Sequence, residues 1–166
     1  SMTMTYLEYV NQQIKEFVSS QDNVVCFGQN IDNGSFIGGL TKGLEVGSTG
    51  RIINATCNEN ALVGMGFGLA LNGAHAILFM KQLDFLLLGL DQCVNTWNAI
   101  KNSQDGMSGS FTIIPVIIDS GWQGPQSSFN GLDSICSMTG IRGTYLNNNS
   151  YAIGKDLFHL SRPGEF

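Results

Sequence analysis

The chain has 166 residues, which is enough for one domain with a sizeable core. Only 13% of the residues are charged, against roughly 25% in a typical soluble domain. So little charge, beside 43% hydrophobic residues, predicts that much of the surface is buried against other chains, and we expect self-association. The net charge is −5 and the eight lysines and arginines are spread singly, so the sequence lacks the basic patch that nucleic-acid binding requires.

The chain carries no sequence signal for a membrane or for export. Its apolar run at 83–90 is too short to span a bilayer and is interrupted by Asp84 and Gly89. Ser1, before Met2, is interpreted as a cloning remnant, so we expect a tail at 1–5 and a single domain over 6–166. The absence of a signal-peptide pattern predicts a cytoplasmic protein.

The cysteines are dispersed along the chain, without a CxxC pair and with only two histidines as further soft ligands. This spacing argues against a metal site or a disulfide framework. We expect these four residues to be small buried fillers of the core: Cys26, Cys57, Cys93 and Cys136.

The elements follow one another in a regular order. Apolar spacing predicts a helix at 6–19, a strand at 24–27, a turn-rich segment at 28–39 and a short helix at 41–46. A strand at 51–55, a helix at 60–72, a strand at 76–80 and a long helix at 85–102 come next. The remainder is predicted as a strand at 111–118, a loop at 119–130, a helix at 132–138, a strand at 142–146 and a helix at 151–160.

Strands that alternate with helices of this length predict a three-layer α/β/α domain with a mostly parallel sheet. Ligands of such sheets bind at the carboxyl ends of the strands. Gly64, Gly66 and Gly68 have the wrong spacing for a dinucleotide fingerprint and lie inside a predicted helix. Close packing of that helix against a neighbour explains them better.

Glu59 lies where a strand, predicted to be buried, passes into the glycine-rich helix. The acid could cap the helix. It could instead be a largely desolvated carboxyl with a raised pKa that exchanges a proton with a ligand. Phe85 follows the next strand, so that an acid and an aromatic ring at successive strand ends could hold one flat heterocycle.

Five segments then resemble, in order and approximate spacing, the pyrimidine-binding domain of thiamine diphosphate-dependent enzymes. They are 27–31, 38–44, the stretch around Glu59, Asp84-Phe85 with 91–95, and 124–126. The nearest version is the beta subunit of 2-oxoacid dehydrogenases, and the transketolases are a more distant relation. The resemblance covers about 6–160.

The resemblance implies roles for individual residues. The acid matching Glu59 would hydrogen-bond N1′ of the cofactor's aminopyrimidine and favour the imino tautomer that deprotonates thiazolium C2. Phe85 would stack on the pyrimidine ring, and Asn58 and Gln82 would complete the cofactor-binding set. Two further residues could face the substrate or form an ordinary turn: Gln126 and Ser127.

The resemblance also implies a partner. The motif that binds Mg²⁺ and diphosphate belongs to another domain in this family, and this sequence carries neither it nor the family's carboxy-terminal domain. We therefore expect an alpha-like, diphosphate-binding subunit, with two copies of each chain and the cofactor at their interface. Ser127 stands where the dehydrogenases have a histidine, which argues against dehydrogenase chemistry. The expected lack of the carboxy-terminal domain favours a transketolase-like carboligase or a 2-oxoacid decarboxylase.

Two other functions stay open at this point. The chain could be a degenerate, non-catalytic subunit that stabilises or regulates a partner, although such a scaffold needs neither Glu59 nor Phe85. It could also be a small-molecule-binding module of flavodoxin-like topology, but its loops contain no convincing phosphate cradle.

Overall fold

A four-stranded parallel sheet forms the centre of the molecule. The computed structural model describes residues 4–116, 129 and 131–143. The strands are β1 (Val24–Gly28), β2 (Arg51–Asn54), β3 (His75–Met80) and β4 (Ser110–Pro115), in the order β2-β1-β3-β4. All four predicted strands up to residue 116 are confirmed. The predicted strand at 142–146 is not formed at 142–143, and its other residues lie outside the described part, as does the predicted helix at 151–160.

Helices cover both faces of this sheet. They are α1 (Tyr6–Ser20), α2 (Glu59–Leu71), α3 (Trp97–Lys101) and α4 (Leu132–Thr139). Because strand side chains alternate between faces, Val24 and Cys26 pack with α1, whereas Val25 and Phe27 pack with the other three helices. The predicted three-layer α/β/α arrangement is confirmed.

The strand β2 departs from the prediction of a buried strand. Three of its four residues are exposed, and Ile53 keeps 41% of its surface accessible. The strand lies at the sheet edge and pairs only with β1 in the described part of the chain. The helix that follows it packs on β3 and β4 instead, so it leaves β2 uncovered.

The predicted helix at 85–102 is helical but not a single α-helix. A 3₁₀-helix spans Leu83–Gly89, a π-helical turn spans Gln92–Thr96, and only then does α3 begin. A 3₁₀-helix repeats every three residues. The three buried residues of this one are Leu83, Leu86 and Gly89, at that spacing, so the winding follows from which side chains reach the core.

The predicted short helix at 41–46 is wrong, because residues 41–43 form turns and 44–46 have no regular structure. The Thr41 hydroxyl donates to the carbonyl oxygens of Ile31 and Phe36, at 2.7 and 3.0 Å. The Asn11 side chain bonds the carbonyl oxygens on either side of Thr41, at Leu40 and Lys42. These bonds fix the segment as a compact loop on α1.

The cysteine prediction is confirmed in part. Cys26 and Cys93 are buried, Cys136 is half-buried, and Cys57 is exposed and therefore not a core filler. All four are free thiols. Burial raises the pKa of Cys26 and of Cys93 to about 12, so both stay protonated at neutral pH.

The glycines of α2 play different roles. A Cβ at Gly66 would overlap the ring of Phe111, so close packing is confirmed there. Gly64 faces the Gln92 amide with room for a methyl group, and Gly68 has no neighbour within 4 Å of a Cβ. Within the described ranges, no helix combines the length and the apolar character needed to cross a membrane.

Candidate functional site at the carboxyl edge of the sheet

The segments that carry the predicted site leave the sheet at one edge. Gly28, the last residue of β1, pairs with Asn54 on one side and with Phe79 on the other. The chain therefore runs from β2 into α2, and from β3 into the 3₁₀-helix, at the same level. This is the edge at which ligands of parallel α/β sheets bind.

Asn58, rather than Glu59, caps α2. The Asn58 side-chain oxygen accepts a hydrogen bond from the backbone N–H of Ala61 at 3.1 Å. Glu59 is the first helical residue and is half-buried. Glu59 is therefore not the capping residue, as the capping alternative required. Its carboxylate does not accept a cap hydrogen bond from the backbone of its own helix.

The carboxylate of Glu59 has one hydrogen-bond partner among the described residues. The Sγ atom of Cys57 lies 3.7 Å from Glu59 Oε1, and the thiol donates. The carboxylate sits in the first turn of α2, at the end of the helix dipole where acidic side chains are favoured. Sequence reasoning missed this contact because it treated Cys57 as a core filler.

Phe85 lies on the 3₁₀-helix, which packs against the first turn of α2. Its ring is half-buried against the core on the α2 side of the sheet, which leaves part of it open to a ligand. A Cβ at Gly89 would lie 2.7 Å from Val63 Cγ2 and 3.1 Å from the Glu59 carbonyl oxygen. Glycine at position 89 thus lets the 3₁₀-helix that carries Phe85 approach Glu59 closely.

The other predicted site residues differ in exposure. Asn58 is exposed, and its amide nitrogen is not used in capping the helix. Gln82 is buried, at 2% exposure, and lies between β3 and the 3₁₀-helix. Asp84 has one buried carboxylate oxygen that makes no hydrogen bond within the described part of the chain. Gln126 and Ser127 lie outside the described residues, and their predicted role stays a prediction.

A glycine-rich loop borders this edge. It covers 28–44, and so includes two of the segments that carry the family resemblance. The side-chain oxygen of Asn54, at the end of β2, accepts a hydrogen bond from the backbone N–H of Asp32 at 2.8 Å. The backbone N–H of Ala55 donates to the Gly28 carbonyl oxygen at 2.8 Å. These bonds fix the loop beside the start of α2.

Large apolar side chains stay uncovered around the site. α2 carries Met65 and Leu71 on its outer face, the 3₁₀-helix carries Leu87 and Leu88, and β2 carries Ile53. Leu88 is 63% exposed. Within 4–116, 129 and 131–143, no group of three His, Cys, Asp or Glu side chains could hold a metal ion.

Known proteins with a similar sequence are beta subunits. The pyruvate dehydrogenase E1 component subunit beta of Acholeplasma laidlawii is 27% identical over 117 residues, which are 69% of this chain and 34% of that protein. The same subunit of Cyanidium caldarium is 29% identical over 120 residues, 70% of this chain and 35% of that protein. The 2-oxoisovalerate dehydrogenase subunit beta of Bacillus subtilis (strain 168) is 26% identical over 93 residues, 55% of this chain and 28% of that protein.

These similarities confirm the resemblance to beta subunits of 2-oxoacid dehydrogenases that the sequence motifs indicate. The α/β fold with its parallel sheet agrees with the expected pyrimidine-binding type of domain. The chain spans about a third of the length of these curated relatives. No protein-family model matches the chain.

Proposed function

We propose that the chain is the pyrimidine-binding subunit of a split thiamine diphosphate-dependent enzyme, similar to the beta subunits of 2-oxoacid dehydrogenases. The observation that carries the proposal is the state of Glu59. This acid begins α2 at the ligand-binding edge of the sheet, and the adjacent Asn58 performs the capping that would otherwise explain it. The helix dipole favours an acid in this turn, but the helix does not need Glu59 as its cap, which leaves the carboxylate available to a ligand.

Glu59 and Phe85 suit the two faces of an aminopyrimidine. The carboxylate can hydrogen-bond a ring nitrogen and exchange a proton with it, since its only described contact is a weak thiol donor. The partly open ring of Phe85 offers a flat apolar surface for stacking. Asn58 and Gln82 are proposed to bind the cofactor as well. Asn58 would act through its amide nitrogen, and Gln82 lies in the segment that leads to Phe85.

The chain supplies half of a cofactor site. When bound, thiamine diphosphate supplies the carbanion-stabilising chemistry, and the protein orients it. The described residues offer a place for the pyrimidine but no cluster for Mg²⁺. We therefore assign the diphosphate and Mg²⁺ to an alpha-like partner subunit.

The uncovered apolar surface supports such a partner. Obligate interfaces are rich in apolar side chains and poor in charge. Met65 on α2, and Leu87 and Leu88 beside Phe85, provide this chemistry near the site, and Leu71 extends it to the far end of α2. We propose a complex with two copies of each chain, in the cytoplasm, in which these surfaces are covered.

The reaction follows from the family in general terms only. A two-subunit transketolase-like carboligase, a 2-oxoacid decarboxylase and a 2-oxoacid dehydrogenase all use this half-site. Gln126 and Ser127 are proposed to face the substrate.

The test is co-expression with a candidate diphosphate-binding subunit, followed by calorimetric titration of thiamine diphosphate with Mg²⁺. We expect binding to the complex and none to the chain alone. Phe85→Ala should weaken that binding about tenfold, in line with the worth of an aromatic contact. Glu59→Gln should keep the fold and lower turnover by roughly 100-fold or more.

Glu45→Gln is the matched control, because Glu45 is exposed in the loop that follows Leu44 and should leave binding and turnover unchanged. Full activity of Glu59→Gln would contradict the proposal. Binding to neither sample would favour the alternative, a non-catalytic subunit that stabilises or regulates its partner.

A further inference from the structure

The turn before α2 places a thiol over the carboxylate of Glu59. The backbone N–H of Asn58 donates to the Thr56 carbonyl oxygen at 3.0 Å, which closes the turn around Cys57. The Asn58 side chain then caps the helix. Asn58, the middle residue of the segment 57–59, is thus held by hydrogen bonds on both sides. Cys57 Sγ lies 3.7 Å from Glu59 Oε1.

We propose that Cys57 is a positioning residue for Glu59. The Cys57 thiol holds Glu59 Oε1 by a hydrogen bond and leaves Glu59 Oε2 for the pyrimidine ring. The proposal rests on the function proposed above. A glutamate at the first position of a helix has several rotamers of similar energy, and restricting a long side chain to one of them costs conformational entropy. A hydrogen bond formed before the cofactor arrives would provide part of that ordering.

The position of Cys57 distinguishes it from the other cysteines. Cys26 and Cys93 are buried in the two cores, and Cys136 is half-buried on α4. Cys57 is exposed at the ligand-binding edge, where a buried filler is not needed. Its contact with a carboxylate explains its chemistry better than packing does.

The test compares three variants of Cys57 in the complex of the full chain with its diphosphate-binding partner. Cys57→Ser keeps a donor, Cys57→Val keeps the volume without a donor, and Cys57→Ala keeps neither. Because a thiol is a weak donor, we expect Ala and Val to lower kcat three- to tenfold, with KM for thiamine diphosphate changed less than twofold. Ser should restore most of the lost kcat.

A packing role predicts the opposite order, with Val active and Ser impaired, and that order would overturn the proposal. Wild-type kcat in both Ala and Val would also overturn it. The two roles also differ in their effect on KM for thiamine diphosphate. Loss of packing would raise KM as well as lower kcat, whereas loss of positioning would lower kcat and change KM less than twofold.

A second measurement on the chain alone is independent of the cofactor. The infrared S–H stretching band of Cys57, isolated as the difference between wild type and Cys57→Ser, should shift to higher frequency in Glu59→Ala and stay in place in Glu45→Ala. A band that does not move would show that the contact is absent. A band that moves, beside full turnover of Glu59→Gln, would instead reject the proposed function and leave the contact standing.

Discussion

The two long helices, α1 and α2, cover opposite faces of one sheet but have different outer surfaces. α1 begins with a capping box in which Thr5 and Glu8 bond each other's backbone N–H. Tyr6 and Leu7 in its first turn are exposed, and the exposed residues of its later turns are polar. α2 carries a single charge, Glu59, and is apolar on both faces. A helix that is apolar all round is normally buried. The difference supports the proposal that α1 completes the fold of this chain, whereas α2 presents a surface for a second one.

The comparison between α1 and α2 is tested most strongly by two nearby side chains of α2, one buried and one exposed. Phe67 is buried between Phe111, at a ring-centroid distance of 5.0 Å, and Trp97, at 6.0 Å. Phe67→Ala should lower the free energy of unfolding by about 3–5 kcal/mol. Met65 is 48% exposed, and Met65→Ala should change it by less than about 0.5 kcal/mol while weakening subunit association.

Urea denaturation measures the first effect and sedimentation of the complex the second. Equal stability losses in both variants would mean that this chain itself covers the outer face of α2. The outer surface of α2 would then resemble that of a core helix, and the contrast with α1 would disappear.

The buried thiols on the two faces of the sheet test whether water is excluded equally from both cores. Cys26 faces α1 and Cys93 packs with α2, and burial raises the pKa of each to about 12 from an ordinary 9.0. The unfolded thiols ionise near pH 9 while the folded ones stay protonated. Stability is therefore fully present below pH 9 and is lost as the pH rises towards 12, by about 1.4 kcal/mol per thiol at pH 10.

Urea midpoints measured between pH 7.5 and 10 give this slope. Cys26→Ala and Cys93→Ala should each remove one half of it. If the double variant keeps the whole slope, tyrosine or lysine groups cause it and the burial of the two thiols is irrelevant to alkaline unfolding.

Two glycines of α2 sharpen the contrast between its faces. Gly66→Ala should cost about 1–3 kcal/mol, because the added methyl group overlaps the ring of Phe111. Gly68→Ala enters open space and should stabilise the chain by about 0.5–1 kcal/mol through helix propensity. Thermal unfolding of the isolated chain would show both changes, and a destabilising Gly68→Ala would place a neighbour on the outer face.

The sequence predicted the features that depend on local pattern. Apolar runs located the strands up to residue 116, and their parallel order placed Glu59 and Phe85 at one edge. The exposure of β2 was not predictable, because it depends on where α2 packs. The 3₁₀ winding of Leu83–Gly89 and the contact of Cys57 with Glu59 depend on tertiary packing and on a turn conformation, neither of which leaves a periodic signal.

The caps of the two helices give the smallest effect and the finest distinction. Thr5→Ala and Asn58→Ala each remove a side-chain oxygen that accepts from the first turn, and each should cost about 1 kcal/mol of stability. Only the second should also lower turnover of the complex, because the frayed turn contains Glu59. Thr5→Ala should leave turnover unchanged.

Asn58→Asp separates the cap from a direct contact with the cofactor, since aspartate caps helices as well as asparagine but lacks the amide nitrogen. Recovery of both stability and turnover in Asn58→Asp would mean that Asn58 acts through the first turn of α2. Recovery of stability without turnover would mean that Asn58 contributes more than its cap, as its proposed place in the cofactor-binding set requires. Equal loss of turnover in Thr5→Ala and Asn58→Ala would instead show that the two helix starts are equivalent, and that the site does not depend on the order of the turn carrying its acid.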